Sequence, residues 1–411
     1  MNRREFVLSG LAGSASAWAA GGAVKPAQRL IDGTIRSSFP GVEERVYLNA
    51  AARMPLGAFS QRGLQNYIDT TQRIIPVEDQ REYVGTMWQE IRGLFADLIG
   101  AREEEVGLVH CTKAGEQIVL DSVDSIKSGG NIVSNDLHFN GSLHNLIGLK
   151  RAGRDVRIVR ARDWKIDLAE MEAAIDEKTA LVTVALVSNI NGHVEDITAL
   201  SDIAQRHGAL VFADIIQAAG IVPINVHQMG IDVAACSSYK WLYGTYGSGF
   251  LFVRQGVQGN GLRDRLYPGH VTQNYTPWVQ EPDAGLEEFG FHTPVDATRY
   301  QPGHPSYLGY CAAYEGLKFL QQVGIENALG HSVRLNRRLR QGLDPDQFRC
   351  ITPEPDLSAI NTFVATDPNG VKNRIKAASI SVSNTGNRIR VSPALFNNEG
   401  DIDKLIKTLN V

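Results

Sequence analysis

The sequence predicts an α/β fold: a mostly parallel seven-stranded sheet in a large domain, joined to a small α+β domain. Three observations carry that expectation. From about residue 85 to residue 255, seven short apolar runs alternate with amphipathic helical stretches. That pattern implies crossover connections and a sheet covered on both faces. The chain has 411 residues, too many for one small core. After about residue 305 the alternation gives way to a long helix pattern and a mixed tail.

The strand candidates, in order, are "VGLVH" (106–110), "NIVSN" (131–135), "DVRIVRA" (155–161), "ALVTVALVS" (180–188), "ALVFADI" (209–215), "DVAACSS" (232–238) and "GFLFV" (249–253). Each is rich in β-branched or aromatic residues and bounded by polar or turn residues. Helices such as "GEQIVLDSVDSI" and "ITALSDIAQRHG" lie between them. The second ends in His207 and Gly208, a basic residue and a glycine where a helix stops. Residues 254–305 are heavy in Gly, Pro and aromatics and read as loop; "SYLGYCAAYEGLKFLQQVG" then reads as a long helix. The division expected is a leader over 1–25, a segment over 26–70 that joins the small domain, a large domain over 71–300 and the small domain over 301–411.

Hydrophobic content of 43% and charged content of 21% are those of a globular protein. The formal net charge of −4 argues against a general nucleic-acid surface. Cys111, Cys236, Cys311 and Cys350 are scattered without metal-type pairing, so no metal site is expected and the thiols read as packed residues. The start, "MNRREFVLSGLAGSASAWAAGGA", has Arg3, Arg4 and Phe6 before a mildly apolar stretch, with small residues at Gly21 and Ala23. This resembles a twin-arginine export signal, which implies a periplasmic mature protein. The run is too short and glycine-rich for stable membrane insertion.

One stretch, "SSYKWLYGTYGSGFLFV" (237–253), places Lys240 among residues that look like core. Lysines near strand ends usually snorkel, with the stem packed and the amine in water. The alternative is a desolvated amine suited to a Schiff base. Other polar residues fall where ligands sit in parallel sheets, at the carboxyl ends of strands. Asp214 ends "ALVFAD", with Gln217 three residues on; an acid there caps a helix or faces a ligand. Asn189 ends "ALVTVALVSN", and His138 and Phe139 follow "NIVSNDL". In "CTKAGEQ" (111–117) a strand meets a helix, so backbone N–H groups around Ala114 and Gly115 can hold a phosphate. The plain alternative is that Gly115 permits a tight turn.

This set suits pyridoxal phosphate chemistry, which needs a lysine for the Schiff base, an acid beside the pyridine nitrogen, a flat group on the ring and a phosphate cradle. The run from "NGHVEDITALSDIAQ" through "SSYKWLYGTYGSGFLFV" resembles the core of class V aminotransferase-fold enzymes, a family including cysteine desulfurases, selenocysteine lyases, kynureninase and isopenicillin N epimerase. D-x-x-Q with a lysine 26 residues after the aspartate carries the likeness, which extends from about Tyr47 to the end of the chain. It implies the type I fold of pyridoxal 5′-phosphate enzymes. It implies that Lys240 forms the Schiff base and shuttles the α-proton, that Asp214 pairs with the pyridine nitrogen and that Gln217 bonds the phenolic oxygen. It places Ala114, Gly115, Ser237 and Tyr239 at the phosphate, with His304 reaching it across a dimer interface. His138 or Phe139 stacks on the ring, Asn189 lies near the phenolic oxygen, and Arg390 binds the substrate carboxylate. A homodimer and a small amino-acid-type substrate follow from the same resemblance.

The chain departs from the desulfurase pattern just before the arginine strand. "AASISVSNTGNRIRV" has no cysteine, and Cys350 in "FRCITP" reads as packed, so no persulfide relay is expected. The resemblance then implies an enzyme acting at the α-carbon of an amino acid or amino-acid-containing natural product, aminotransferase- or epimerase-like. With the export signal, it points to tailoring of a secreted compound such as a siderophore. A lyase releasing sulfur or selenium directly is one alternative; a non-catalytic cofactor-binding scaffold is another. A Rossmann-type dinucleotide site is set aside, since no G-x-G-x-x-G follows the first strand.

Overall fold

The computed structural model describes residues 35–73, 83–263, 294–303, 305–355 and 357–410. The leader expected over 1–25, most of the loop region from 264 to 293, and His304 lie outside the described residues.

Among the described residues a short helix (Ile35–Ser37) and a 3-10 turn (Pro40–Val42) precede β1 (Val46–Tyr47), and two helices follow, Ala58–Gln72 and Tyr83–Ile99. Seven strands build the main sheet: β2 (Val106–Val109), β3 (Asn131–Asn135), β4 (Val156–Val159), β5 (Thr179–Ala185), β6 (Leu210–Asp214), β7 (Val233–Ser237) and β8 (Gly249–Val253). Their spatial order is β2-β8-β7-β6-β5-β3-β4. All neighbours are parallel except β8, which runs against both β2 and β7.

The apolar runs pack as two-faced strands do. In β6, Val211 and Ala213 join the core on one face, while Phe212 joins the core on the other. In β8, Phe250 and Phe252 take the first face, and Leu251 and Val253 the second. Phe250 stacks on Phe95 at 4.1 Å between ring centroids, which seats the Tyr83–Ile99 helix on the sheet. A fully buried phenylalanine contributes about 1.5–3 kcal/mol by burial alone, so this pair secures β8, the strand next to the sheet edge, which two antiparallel ladders also hold.

Most strands are shorter than their expected runs, and two elements differ for a visible reason. The run over 180–188 leaves the sheet after Ala185 because the chain turns back on itself, bridging Val187 to Val194. The helix expected over 115–126 starts earlier, at Thr112, and stops at Ser122; a short turn of helix resumes at Asp124.

A smaller unit follows. Strands β9 (Phe348–Cys350), β10 (Asn361–Ala365), β11 (Ile380–Ser381), β12 (Ser383–Thr385) and β13 (Arg388–Val391) form an antiparallel sheet in the order β12-β13-β10-β9, plus a parallel pair between β11 and β1. Its own core includes Val46, Leu48, Phe363, Ile389, Val391 and Leu405. The helix Tyr307–Val323, capped by Ser306 and ended at Gly324, does not pack there. Its buried face (Tyr310, Ala313, Leu317, Leu320) belongs to the core beneath the main sheet.

Residues 49–54 tie the two units together. Ala50 N–H donates to Ser392 O (3.1 Å), and Met54 N–H to Tyr239 O (3.1 Å). Ala51 N–H donates to Ser392 Oγ (3.0 Å), and Ala51 O accepts from Gln217 Nε2 (2.9 Å).

Candidate active site

The parallel strands bring their carboxyl ends to one edge, and the polar residues singled out in the sequence collect there. Lys240 sits three residues past β7 and is 7% exposed. Its amine donates no hydrogen bond among the described residues and lies 5.7 Å from the Tyr239 ring centroid. Burial pulls this amine down to about 8; the Asp214 carboxylate opposes the fall and Arg390 adds to it. The stem does not snorkel, because Ser237, Ser238, Trp241 and Leu242 around it are buried as well.

Asp214 ends β6 and is 4% exposed. Burial pushes its carboxyl up, while His138, the Ile216 N–H (3.0 Å to Oδ1) and Lys240 work the other way. Gln217 is buried, donating to Ala51 O and accepting from the Trp241 indole N–H (3.0 Å). A glutamine amide carries two N–H groups, so one stays available once Ala51 is served.

The start of the Thr112–Ser122 helix meets the end of β7. Thr112 and Ser237 bond reciprocally: Thr112 N–H to Ser237 Oγ (2.8 Å), and Ser237 N–H to Thr112 Oγ1 (2.9 Å). Ala114 N–H is held by the Cys111 thiol at 3.4 Å, a weak acceptor that an anion readily replaces. Gly115 N–H is already used, donating to Cys111 O (3.2 Å). Glycine serves packing at 115, since a Cβ there would stand 2.7 Å from Ala235 Cβ. The Tyr239 ring packs on Tyr246 at 4.4 Å, and burial pushes its phenol up to about 12.

His138 and Phe139 occupy the turn after β3 and differ in setting. His138 is fully buried, with Nε2 3.3 Å from Thr183 Oγ1 and 3.7 Å from Glu116 Oε1. Phe139 precedes the Asn140–Arg151 helix as its half-buried N-cap residue. From the smaller unit, Arg390 on β13 donates from Nη1 to Asn189 O (2.6 Å). No carboxylate pairs with it among the described residues, and burial pulls its guanidinium below the ordinary arginine range. Arg390 Nε, Asn189 Oδ1 and His138 Nδ1 are buried with no hydrogen-bond partner in the structure. Buried polar groups are almost always satisfied, so each of these three atoms is free to meet a ligand atom at this edge of the sheet.

The sequence missed several contributors. Glu116 and Thr112 were hidden inside a helix start, Trp241 looked like core, and Ala51 acts through a carbonyl that any residue carries. Tyr47, beside Arg390, donates its phenol to Arg53 O (2.7 Å). Only the position of Glu116, one residue after the glycine of "TKAGEQ", offered a signal.

The β12–β13 hairpin carries no thiol, and Cys350 sits on β9 with Sγ 3.6 Å from Asn361 Oδ1. No group of three or more His, Cys, Asp or Glu side chains able to hold a metal occurs among the described residues. None of the described helices is long and apolar enough to cross a membrane.

The sequence profile of the class-V aminotransferases matches residues 61–405. The uncharacterized aminotransferase YcbU of Bacillus subtilis is 26% identical over 378 residues, covering 89% of this chain and 94% of the relative. A probable cysteine desulfurase of Methanothermobacter thermautotrophicus is 24% identical over 403 residues, 91% of this chain and 96% of the relative. Among solved structures, a mutant of the cystine C–S lyase C-DES, with glycine linked covalently to its cofactor, superposes with a TM-score of 0.81 at 18% identity. That likeness covers 91% of this chain and 98% of the other, and it shows a shared fold.

Proposed function

The chain belongs to the class-V aminotransferase family, and from that premise we propose an enzyme that uses pyridoxal 5′-phosphate to act at the α-carbon of an amino acid or amino-acid-containing compound. The observation that carries the reading is Lys240, a buried amine drawn down to about 8 beside the buried Asp214. The cofactor supplies an aldehyde that condenses with amines and a ring that takes up the electron pair left at the α-carbon.

The residues present fit that group. Lys240 offers the uncharged nucleophile: at pH 7 roughly a tenth of it is neutral, against less than about a thousandth of an ordinary lysine. The same Lys240 Nζ, as a neutral amine, would be the group placed to hold or move the α-proton. The Asp214 carboxylate would hold a proton on the ring nitrogen, and the spare Gln217 N–H would serve the phenolic oxygen. The Ala114 N–H, with the Thr112–Ser237 pair behind it, receives the phosphate at a helix start, where the dipole favours an anion. Arg390 takes the substrate carboxylate with Nε, while its Nη1 stays tied to Asn189 O.

The thiol-free β12–β13 hairpin supports direct chemistry at the α-carbon over a persulfide relay. Transamination and epimerisation fit this site; direct C–S cleavage needs the same groups, so product analysis separates them. We place the enzyme in the periplasm on the paired Arg3 and Arg4 alone, as a homodimer tailoring a secreted compound such as a siderophore. Cell fractionation that finds the mature chain only in the cytoplasm removes that placement.

The primary test is an absorbance scan of the purified protein loaded with cofactor, repeated with a panel of amino acids and with mass spectrometry of the products. A visible band that shifts with one substrate class is expected, as is its loss in Lys240→Ala. A variant that keeps the wild-type band refutes the lysine assignment. A band that no amine alters points to a binding scaffold.

A further inference from the structure

After β5 the chain turns back as a hairpin over residues 186–195. Its base is closed by Glu195 N–H to Leu186 O (3.0 Å), Ser188 N–H to His193 O (2.8 Å) and the bridge from Val187 to Val194. The tip turns its carbonyls to the smaller unit. Asn189 O accepts from Arg390 Nη1 (2.6 Å), Ile190 O from Thr362 Oγ1 (2.9 Å) and Gly192 O from Ser358 Oγ (2.9 Å). Asn191 Nδ2 also crosses over, donating to Ile351 O (3.3 Å). Thr362 and Ser358 are buried and have no part in the scheme above.

We infer that Thr362 and Ser358 are positioning residues: by holding the Ile190 and Gly192 carbonyls they fix the Asn189 carbonyl that aims the Arg390 guanidinium at a substrate carboxylate. The inference rests on Arg390 being the group that takes that carboxylate.

Thr362 on β10 and Arg390 on β13 are direct cross-strand partners, so their side chains rise from the same face of the sheet. They grip adjacent carbonyls of the tip, Ile190 and Asn189. The guanidinium is planar and rigid. Fixing Nη1 on a carbonyl therefore orients Nε as well, but only as firmly as that carbonyl is held. The tip's own bonds, Gly192 N–H to Ser188 O (3.0 Å) and Ile190 N–H to Ser188 Oγ (3.2 Å), secure its N–H side. The carbonyl side is secured from the smaller unit. The approach there is close: Gly192 has φ +76°, and a Cβ on it would stand 2.4 Å from Ile360 O, between Ser358 and Thr362 in sequence. On the other side, Ser188 Oγ donates to Leu137 O (2.8 Å), the residue before His138. The hairpin thus spans from the turn after β3 to the strand of Arg390. Without the Thr362 hydroxyl, Ile190 O loses that partner, the tip shifts with Asn189 O, and Nε loses its direction. A small misplacement of a binding group is enough to weaken recognition.

The test uses the cofactor-loaded enzyme and two probes that differ only by a carboxylate, glycine and methylamine, each titrated by the shift of the visible band. The ratio of the two midpoints reads the carboxylate contact and cancels whatever affects both probes. In Thr362→Val, which keeps the shape and removes the hydroxyl, the preference for glycine falls about fivefold, the scale of one hydrogen bond. Thr362→Ser restores most of it, and Ser358→Ala gives a smaller fall. The apoprotein supplies a second readout: phenylglyoxal modifies Arg390 faster in Thr362→Val than in the wild type, followed by peptide mass spectrometry. A merely structural role would weaken glycine and methylamine equally. That result, or an unchanged preference with unchanged Arg390 reactivity, overturns the inference. If Thr362→Val does not fold, Ser358→Ala decides by the same ratio. Arg390→Ala is the control: if it keeps the preference for glycine, the reading of Arg390 itself is wrong, whatever Thr362 does.

Discussion

Lys240 is where one residue decides most. An amine held near 8 exchanges charge for nucleophilicity close to neutral pH. The rate of imine formation between the apoprotein and a small aldehyde should therefore rise with pH and level off above about 8, where an ordinary lysine would still be climbing; stopped-flow absorbance reads this directly. The sign for stability follows. Between about 8 and the ordinary lysine value the unfolded chain binds more protons, so the apoprotein gains stability as pH rises through that window. Glu195 behaves in the opposite way. It is buried, accepts from Asn135 Nδ2 (2.9 Å) and is pushed up to about 7 by burial. The folded state holds that proton where the unfolded chain has lost it, so stability falls as pH rises from the ordinary glutamate value to about 7. Glu195→Gln keeps the Asn135 bond and removes the penalty. It should raise the melting temperature more at pH 8 than at pH 5 in thermal scans.

Elements carry the next level of decision. Gly115 lets the Thr112–Ser122 helix approach β7 so closely that a Cβ would stand 2.7 Å from Ala235 Cβ. Gly115→Ala should cost about 1–3 kcal/mol as overpacking, seen as a lower urea midpoint. It should also weaken cofactor binding, because the helix start retreats with its N–H groups. The seven apolar runs were readable as strands because both faces of each are buried, which removes the polar alternation that would blur a short run. Their ends were less readable. The run after Ala185 is as apolar as the strand before it, and only the hairpin back to Val194 draws it out of the sheet. The start of the Thr112 helix was hard to read too, because Cys111 is an uncommon N-cap and its thiol a weak one.

Across the whole molecule, the site depends on chain segments far apart in sequence. Ser392 receives both Ala50 and Ala51, and Ala51 receives Gln217. One buried serine thus connects the strand of Arg390 to the main sheet. Ser392→Ala leaves the Ala51 N–H without its partner, a cost of about 1–3 kcal/mol. Faster hydrogen exchange at the Ala51 amide, together with weaker substrate binding, is the expected signature. Wild-type exchange in the variant would mean that the segment is held by packing alone.

The sequence by itself determined the α/β class, the seven strands and the positions of Lys240, Asp214 and Gln217. Apolar periodicity and the spacing from Asp214 to Lys240 are local properties that survive in a linear string. Tertiary structure alone decided that Glu116 stands behind His138, that Gly115 serves packing and not its own N–H, and that Arg390 meets Asn189. Those facts depend on pairings between segments tens to hundreds of residues apart, through backbone carbonyls and buried charges. The reason is physical: a buried charge is tolerable only beside its counter-charge, and the partner's identity is set by the fold, not by distance along the chain.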